Sequence, residues 1–352
     1  MENLDKQTIL HERMKKQGLL DPLEDPADVD GYKNLFKRLQ PVAPVHNSRP
    51  GDPPKLVHRT IFDDALVTSK LRQKHQIVKA RFQGGRVGYV FEEDLKLFTR
   101  VFQKPLKRLD PIHEEILGTI RSLGGISKDQ LKKELRYSAK EITKALTKLQ
   151  EAYLVYEDQI DTDWDTGWFD FSEEWFEVPE QTDESVEKIL LQFLDSMVFA
   201  NLDQIKSWSQ LRKNLLKRIL HQLVARNLIV EVSAEGLGTG YMKADPMGFV
   251  QRKVPKSVFM LDKSDILVRS HLDELKSIYK GQEVLQYLLI DGEFQGAVLG
   301  HWRIGPHDID DVTLSLKPEQ ATIRKDEIIK AIRKYYTPER TKILKFNGDT
   351  IV

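Results

Sequence analysis

Ile126-Ser-Lys-Asp-Gln-Leu131, Lys140-Glu-Ile-Thr-Lys144, Leu154-Val-Tyr156 and Trp168-Phe-Asp-Phe171 follow one another in one stretch of the chain. They read as a short helix, a turn, a longer helix and two strands, the layout of a winged helix. Ser127 is the candidate N-cap, because its hydroxyl accepts a hydrogen bond from a first-turn N–H that has no partner within the helix. Leu131 and Leu135 share one face of the short helix, and Arg136-Tyr-Ser138 makes the turn. Ile142, Leu146 and Leu149 recur at helical spacing and so face a core. Lys140, Lys144 and Lys148 recur every four residues on another face, which makes them one cationic ridge.

The pattern returns further along. Leu146, Leu149 and Leu154-Val155 match Leu220, Leu223 and Leu228-Ile229, and Ser127 matches Asn201, a second cap candidate. Each pair is 74 positions apart, as 220 − 146 shows. A register kept over helix, turn, helix and strand points to tandem modules.

With 352 residues the chain can hold several small cores. Hydrophobic content of 40% and charged content of 31% are those of an ordinary globular protein. The absence of cysteine excludes disulfides, zinc–thiolate sites and thiol catalysis, and fits a reducing cytoplasm. No apolar run reaches the roughly 20 residues of a membrane span, and Met1–Gln17 is too charged for a signal peptide. Nine histidines are scattered without metal-ligand spacing, so no metal and no cofactor is expected. Net charge is zero, yet the charge is segregated. Ile205–Arg226 and Lys70–Arg86 each carry six Lys or Arg and no acid, whereas Leu149–Glu187 carries acids and no base. Separation on that scale creates local potentials although the total vanishes.

Taken in order, Leu10, Met14 and Gln17-Gly-Leu-Leu20 read as one helix closing at Gly18, and Tyr32–Leu39 as another opening after Asp28. Pro41–Pro54 is too proline-rich to continue a helix. Ile61–Leu71 resumes one. Ile77–Phe82 and Val87–Val90 flank the Gly84-Gly85 turn as a hairpin, and Phe91–Phe102 is again helical. Asp110–Leu123 opens the first clear module; Ser185–Val198, Leu202–Trp208, Gln210–Arg226 and a wing tipped by Gly236-Leu-Gly-Thr-Gly240 form the second. From Ser257 short strands take over, at Val258–Leu261, Glu283–Ile290, Phe294–Trp302 and Val312–Leu316, with Asp291-Gly292 as a hairpin turn and Lys325–Tyr336 as a closing helix. The expected architecture is α+β: tandem winged helix-turn-helix modules followed by a small C-terminal β-barrel. The expected units are a diverged winged-helix region over 1–107, winged helices over 108–180 and 181–254, and the barrel over 255–352.

With these elements placed, the sequence resembles a bacterial family of multi-winged-helix DNA-binding proteins that includes the alkylpurine and interstrand-crosslink DNA glycosylases. The resemblance covers nearly the whole chain. It rests on Arg13-Met-Lys-Lys-Gln-Gly-Leu-Leu20, Leu39-Gln40, Val78–Val90 followed by Glu93-Asp94-Leu95, and Asp291-Gly292 leading to Gly300-His-Trp-Arg303. It implies double-stranded DNA as partner, and it makes Gln40 the candidate catalytic residue, since the family's glycosylases carry Gln-x-Gln or Gln-x-Asp just after the second helix. Here the tripeptide is Gln40-Pro41-Val42. Val42 can neither orient water nor accept a proton. The family's usual His at the end of the hairpin is replaced by Gly88, and His46, Asn47 and Asp52 are the nearby substitutes.

The winged-helix reading makes Lys140, Lys144 and Lys148, and Arg212, Lys213, Lys217 and Arg218 of the second module, candidates for phosphate contact. Each set is otherwise an ordinary solvated helix face. Lys79, Arg81 and Arg86 on the hairpin are candidates for minor-groove contact. Glu157, Asp158, Asp161, Asp163 and Asp165 would be repelled by phosphate, so the first wing is expected to pack on a neighbouring part of the protein. Trp164, Trp168 and Trp175 are expected in packing rather than base stacking. Three functions follow: a DNA-binding protein acting in repair, an active monofunctional glycosylase of alkylated or crosslinked purines, or a protein-interaction scaffold.

Overall fold

The structure is a computed structural model and describes residues 5–45, 52–158, 167–244, 251–302 and 308–351. It begins with two helices whose caps are written in the sequence. α1 (Lys6–Lys16) starts where Asp5 accepts from the Thr8 N–H, and α2 (Val29–Leu39) where Asp28 accepts from the Gly31 N–H. α3 spans Ala65–Gln73, a later start than the sequence pattern predicts. The reason is local: the Ile61 N–H is taken by the Leu23 carbonyl, so this stretch lies against the chain after α1 instead of coiling. The hairpin of β1 (Ile77–Phe82) and β2 (Arg86–Phe91) turns at Gly84 and Gly85, whose φ values of 79° and 96° suit residues without a Cβ. α4 (Glu92–Phe102) follows without a break, its first turn carrying Glu92, Glu93 and Asp94 beside the positive end of its dipole.

The decisive stretch forms α5 (Pro111–Leu123), β3 (Ile126–Ser127), α6 (Lys128–Glu134), α7 (Ala139–Glu151), β4 (Val155–Asp158) and β5 (Gly167–Asp170). Ser127 and Gln130 cap α6 reciprocally, as do Ser138 and Glu141 for α7. The strands pair in the order β3-β5-β4, and the one-turn helix α8 (Phe171–Glu174) follows. Ile116, Ile120, Leu131, Ile142, Leu146, Leu149 and Trp168 make a core of their own here.

The second copy comprises α9 (Asp183–Met197), α10 (Leu202–Ser209), α11 (Lys213–Ala225) and the hairpin of β6 (Ile229–Ala234) with β7 (Gly238–Lys243). Asn201 and Gln204 repeat the reciprocal cap of Ser127 and Gln130. Leu146, Leu149, Leu220 and Leu223 are all buried, so the repeat corresponds to equivalent core positions. It lapses at the strand, where Leu228 is 42% exposed. This copy does not have a private core. A single apolar cluster runs from Met14 through Phe82 of the hairpin and Phe193 of α9 to Ala297.

The remaining elements are β8 (Val258–Leu261), α12 (Ile266–Ile278), β9 (Val284–Ile290), β10 (Glu293–Gly300), β11 (Ile309–Leu314), α13 (Pro318–Arg333), β12 (Lys345–Phe346) and β13 (Asp349–Thr350). The expected β-barrel is an open sheet. Its order is β13-β12-β11-β10-β9-β8, and among the described residues no pairing joins β8 to β13. Closure is pre-empted because α13 packs on one face while β12 joins β11 in parallel at the edge. Asp291 and Gly292, at φ 51° and 83°, make the expected tight turn. α12, which the sequence reading passes over, lies along α10, and the Ser207 hydroxyl donates to the Arg269 carbonyl at 2.8 Å.

Candidate functional site

α2 delivers Gln40 to the base of the β1–β2 hairpin, where the side chain is 2% exposed. Its Nε2 donates to Asp94 Oδ2 at 2.7 Å, and its Oε1 accepts from the Phe91 N–H at 3.1 Å. Both ends of the amide are therefore used in tying the end of α2 to the strand-to-helix junction of β2 and α4. Val42 exchanges two backbone hydrogen bonds with Tyr89, at 2.9 and 2.8 Å, so the tripeptide is stitched to the hairpin. Gly88 lies beneath it: a Cβ there would stand 2.9 Å from the Pro41 Cβ, so a larger side chain would have to displace its neighbour. The cavity beside Pro41 and Val42 is about 40 Å³, bounded also by Arg59, Asp262 and Asp265, which is space for water and not for a nucleobase. Arg59 and Asp265 pair at 2.6 Å across its wall. Sequence reasoning missed Asp94 as the partner of Gln40; Glu93-Asp94-Leu95 was the only signal for it.

The hairpin cations are engaged inside the protein. Lys79 pairs with Glu157 of β4 at 2.9 Å, with only 11% of its side chain exposed. Arg81 donates from Nε to Gln150 Oε1 of α7 at 2.7 Å and from Nη1 to the Gly85 carbonyl. Arg86 reaches the Ser207 carbonyl of α10 at 3.4 Å, and burial lowers its pKa. Behind it Arg269 donates to Gln83 Oε1; burial and then the like charge of Arg86 push its pKa down to about 9. The hairpin thus bridges the two helical copies. Of the acidic stretch, Glu157 and Asp158 of β4 pack on the hairpin side, Asp158 meeting His75 at 3.0 Å. Trp168 is in the core of the first copy, and Trp175 lies edge-on to His75 and Tyr156. Trp164, Asp161, Asp163, Asp165, His46, Asn47 and Arg303 lie outside the described residues. Asp52 is half-buried.

The ridge on α7 is exposed at Lys140 and Lys144, which pair with no described acid, while Lys148 is half-buried. The α11 face is mixed. Arg218 is held by Asp183, through Nη2 at 2.9 Å, and Lys213 by Asp203 at 3.1 Å, whereas Arg212 and Lys217 are exposed without a described ion pair. Arg212 borders an open cleft of about 800 Å³ together with the turn residue Gly84 at the hairpin tip, while Lys79, Arg81 and Arg86 do not line it. Among the described residues no His, Asp and Glu cluster suits a metal ion, and no helix is long and apolar enough to cross a membrane.

The class is given by a family model, that of the DNA glycosylases described as AlkZ-like, which matches residues 61–327. The chain belongs to that family. Among solved structures, the DNA glycosylase AlkZ of Streptomyces sahachiroi is similar in fold, with a TM-score of 0.68 over 97% of this chain and 100% of that one, at 13% identity. No curated protein matches the sequence.

Proposed function

We propose that the protein binds duplex DNA as a member of a DNA-repair family. The observation that carries this reading is the face of α7 on which Lys140 and Lys144 stand exposed without an ion pair to any described residue. In this reading the two helical copies are winged helices, Arg212 and Lys217 extend the phosphate-contacting surface, and the hairpin cations hold the hairpin in place between the copies. The four sequence units 1–107, 108–180, 181–254 and 255–352 are its working parts, and its compartment is the cytoplasm. Duplex binding measured between 50 and 200 mM salt tests it. The expected result is affinity that falls steeply with salt; absent or salt-independent binding contradicts it.

A second reading, excision of alkylated or crosslinked purines, is favoured by family membership and by the retained Gln40. Such an enzyme must position water and stabilise positive charge on the sugar. With Gln40 buried against Asp94 and the Phe91 N–H, and Val42 apolar, the tripeptide presents no exposed polar side chain for either task. Abasic-site formation on N7-methylguanine DNA, lost in Gln40→Ala, would establish excision. Turnover at background level leaves the DNA-binding reading alone.

A further inference from the structure

We propose that a half-open cavity of about 220 Å³, bordered by α1, α10, α12 and the β6–β7 and β9–β10 turns, binds a small zwitterion of amino-acid size with an apolar side chain. Its carboxylate is received by Arg13 and its ammonium group by Glu274.

Arg13 is 4% exposed and bonds only to carbonyls, from Nε to Met197 at 2.9 Å and from Nη2 to Phe199 at 2.8 Å. Those carbonyls lie at the C-terminal end of α9, which supplies about half a negative charge. Among the described residues no carboxylate pairs with Arg13 and nothing accepts from its Nη1. The guanidinium is therefore buried without a full counter-charge, and burial pushes its pKa down to about 10.

The other polar groups of the cavity are already spent. Asn201 and Gln204 cap each other's N–H groups, and Gln204 Nε2 donates to His271 Nε2 at 2.8 Å. That leaves the histidine proton on Nδ1, which donates to the Leu267 carbonyl at 2.8 Å. Glu293 is neutralised by Lys6 at 2.5 Å. Two groups remain: Arg13, and Glu274, which is exposed and pairs with no described cation. Leu10, Leu275, Leu289 and Phe294 make the rest of the wall apolar. A simple anion would be opposed by Glu274 and a simple cation by Arg13. A molecule with one charge of each sign and an apolar body satisfies both. The inference stands apart from the DNA reading.

Calorimetric titration of the full chain with leucine and with phenylalanine tests it, using leucinamide and N-acetyl-leucine to remove one charge at a time. Saturable binding of leucine or phenylalanine is expected, at least about tenfold weaker for both blocked forms, a difference of about 1.4 kcal/mol. Glu274→Gln, on an exposed side chain, should weaken leucine about tenfold while the melting temperature holds. Arg13→Lys would be less clean because Arg13 also caps α9. No saturable binding of either amino acid overturns the proposal, as does N-acetyl-leucine or leucinamide binding as tightly as leucine.

Discussion

The α7 ridge and the β1–β2 hairpin carry the same kind of side chain and put it to opposite uses. Lys140 and Lys144 stand exposed and form no ion pair with a described residue. Lys79, on the hairpin, is closed over by Glu157, while Arg81 and Arg86 are spent on Gln150 and on the carbonyls of Gly85 and Ser207. A basic run is thus not one kind of evidence. An uncompensated exposed charge is available to a polyanion, whereas a compensated, half-buried one holds two parts of the fold together.

Charge reversal on the ridge gives the largest expected separation between the two. Lys140→Glu with Lys144→Glu should lower duplex affinity by about a hundredfold at low salt, read by fluorescence anisotropy, with little change in melting temperature. On the hairpin, Lys79→Met leaves Glu157 without its partner in a largely enclosed place. A loss of about 1–3 kcal/mol in urea unfolding is expected, together with an unaltered salt dependence of DNA binding. If Lys79→Met instead reduced the salt slope while stability held, the contrast would fail. Gly88→His should cost about 1–3 kcal/mol through the clash with Pro41, and should create no abasic sites on N7-methylguanine DNA. On α11, Lys217→Ala should weaken DNA binding more than Arg218→Ala, because Asp183 already neutralises Arg218.

A last effect concerns pH. Burial, followed by the charge of Arg13, pushes the His271 pKa down to about 4, while Leu267 acts in the opposite sense. Between that value and the ordinary 6.5 the unfolded chain binds the proton more readily than the folded one. Stability is therefore present above about pH 6.5 and is lost as pH falls toward 4. His271→Gln should flatten that part of the stability profile.

Much of the helical framework was legible because its signals are local. Ser127 with Gln130 and Asn201 with Gln204 announce their helices, and Gly84-Gly85 and Asp291-Gly292 announce their turns. α12 was as legible in principle, with the Asp265 cap and the helical spacing of Val268, Leu272 and Leu275, but it is embedded among segments that read as strands. What local pattern does not carry is who meets whom across the fold. Gln40 finds Asp94, 54 positions away, and Lys79 finds Glu157 only when β4 lies beside the hairpin. The open C-terminal sheet was illegible for the same reason, since its edge is made by β12 and β13, two strands of two residues after α13.

The salt dependence of duplex binding, compared between the unaltered protein and the Lys140→Ala, Lys144→Ala double variant, tests the account most directly. The slope of log affinity against log salt should become shallower by about two in the variant. An identical slope in both would show that the α7 lysines do not meet phosphate.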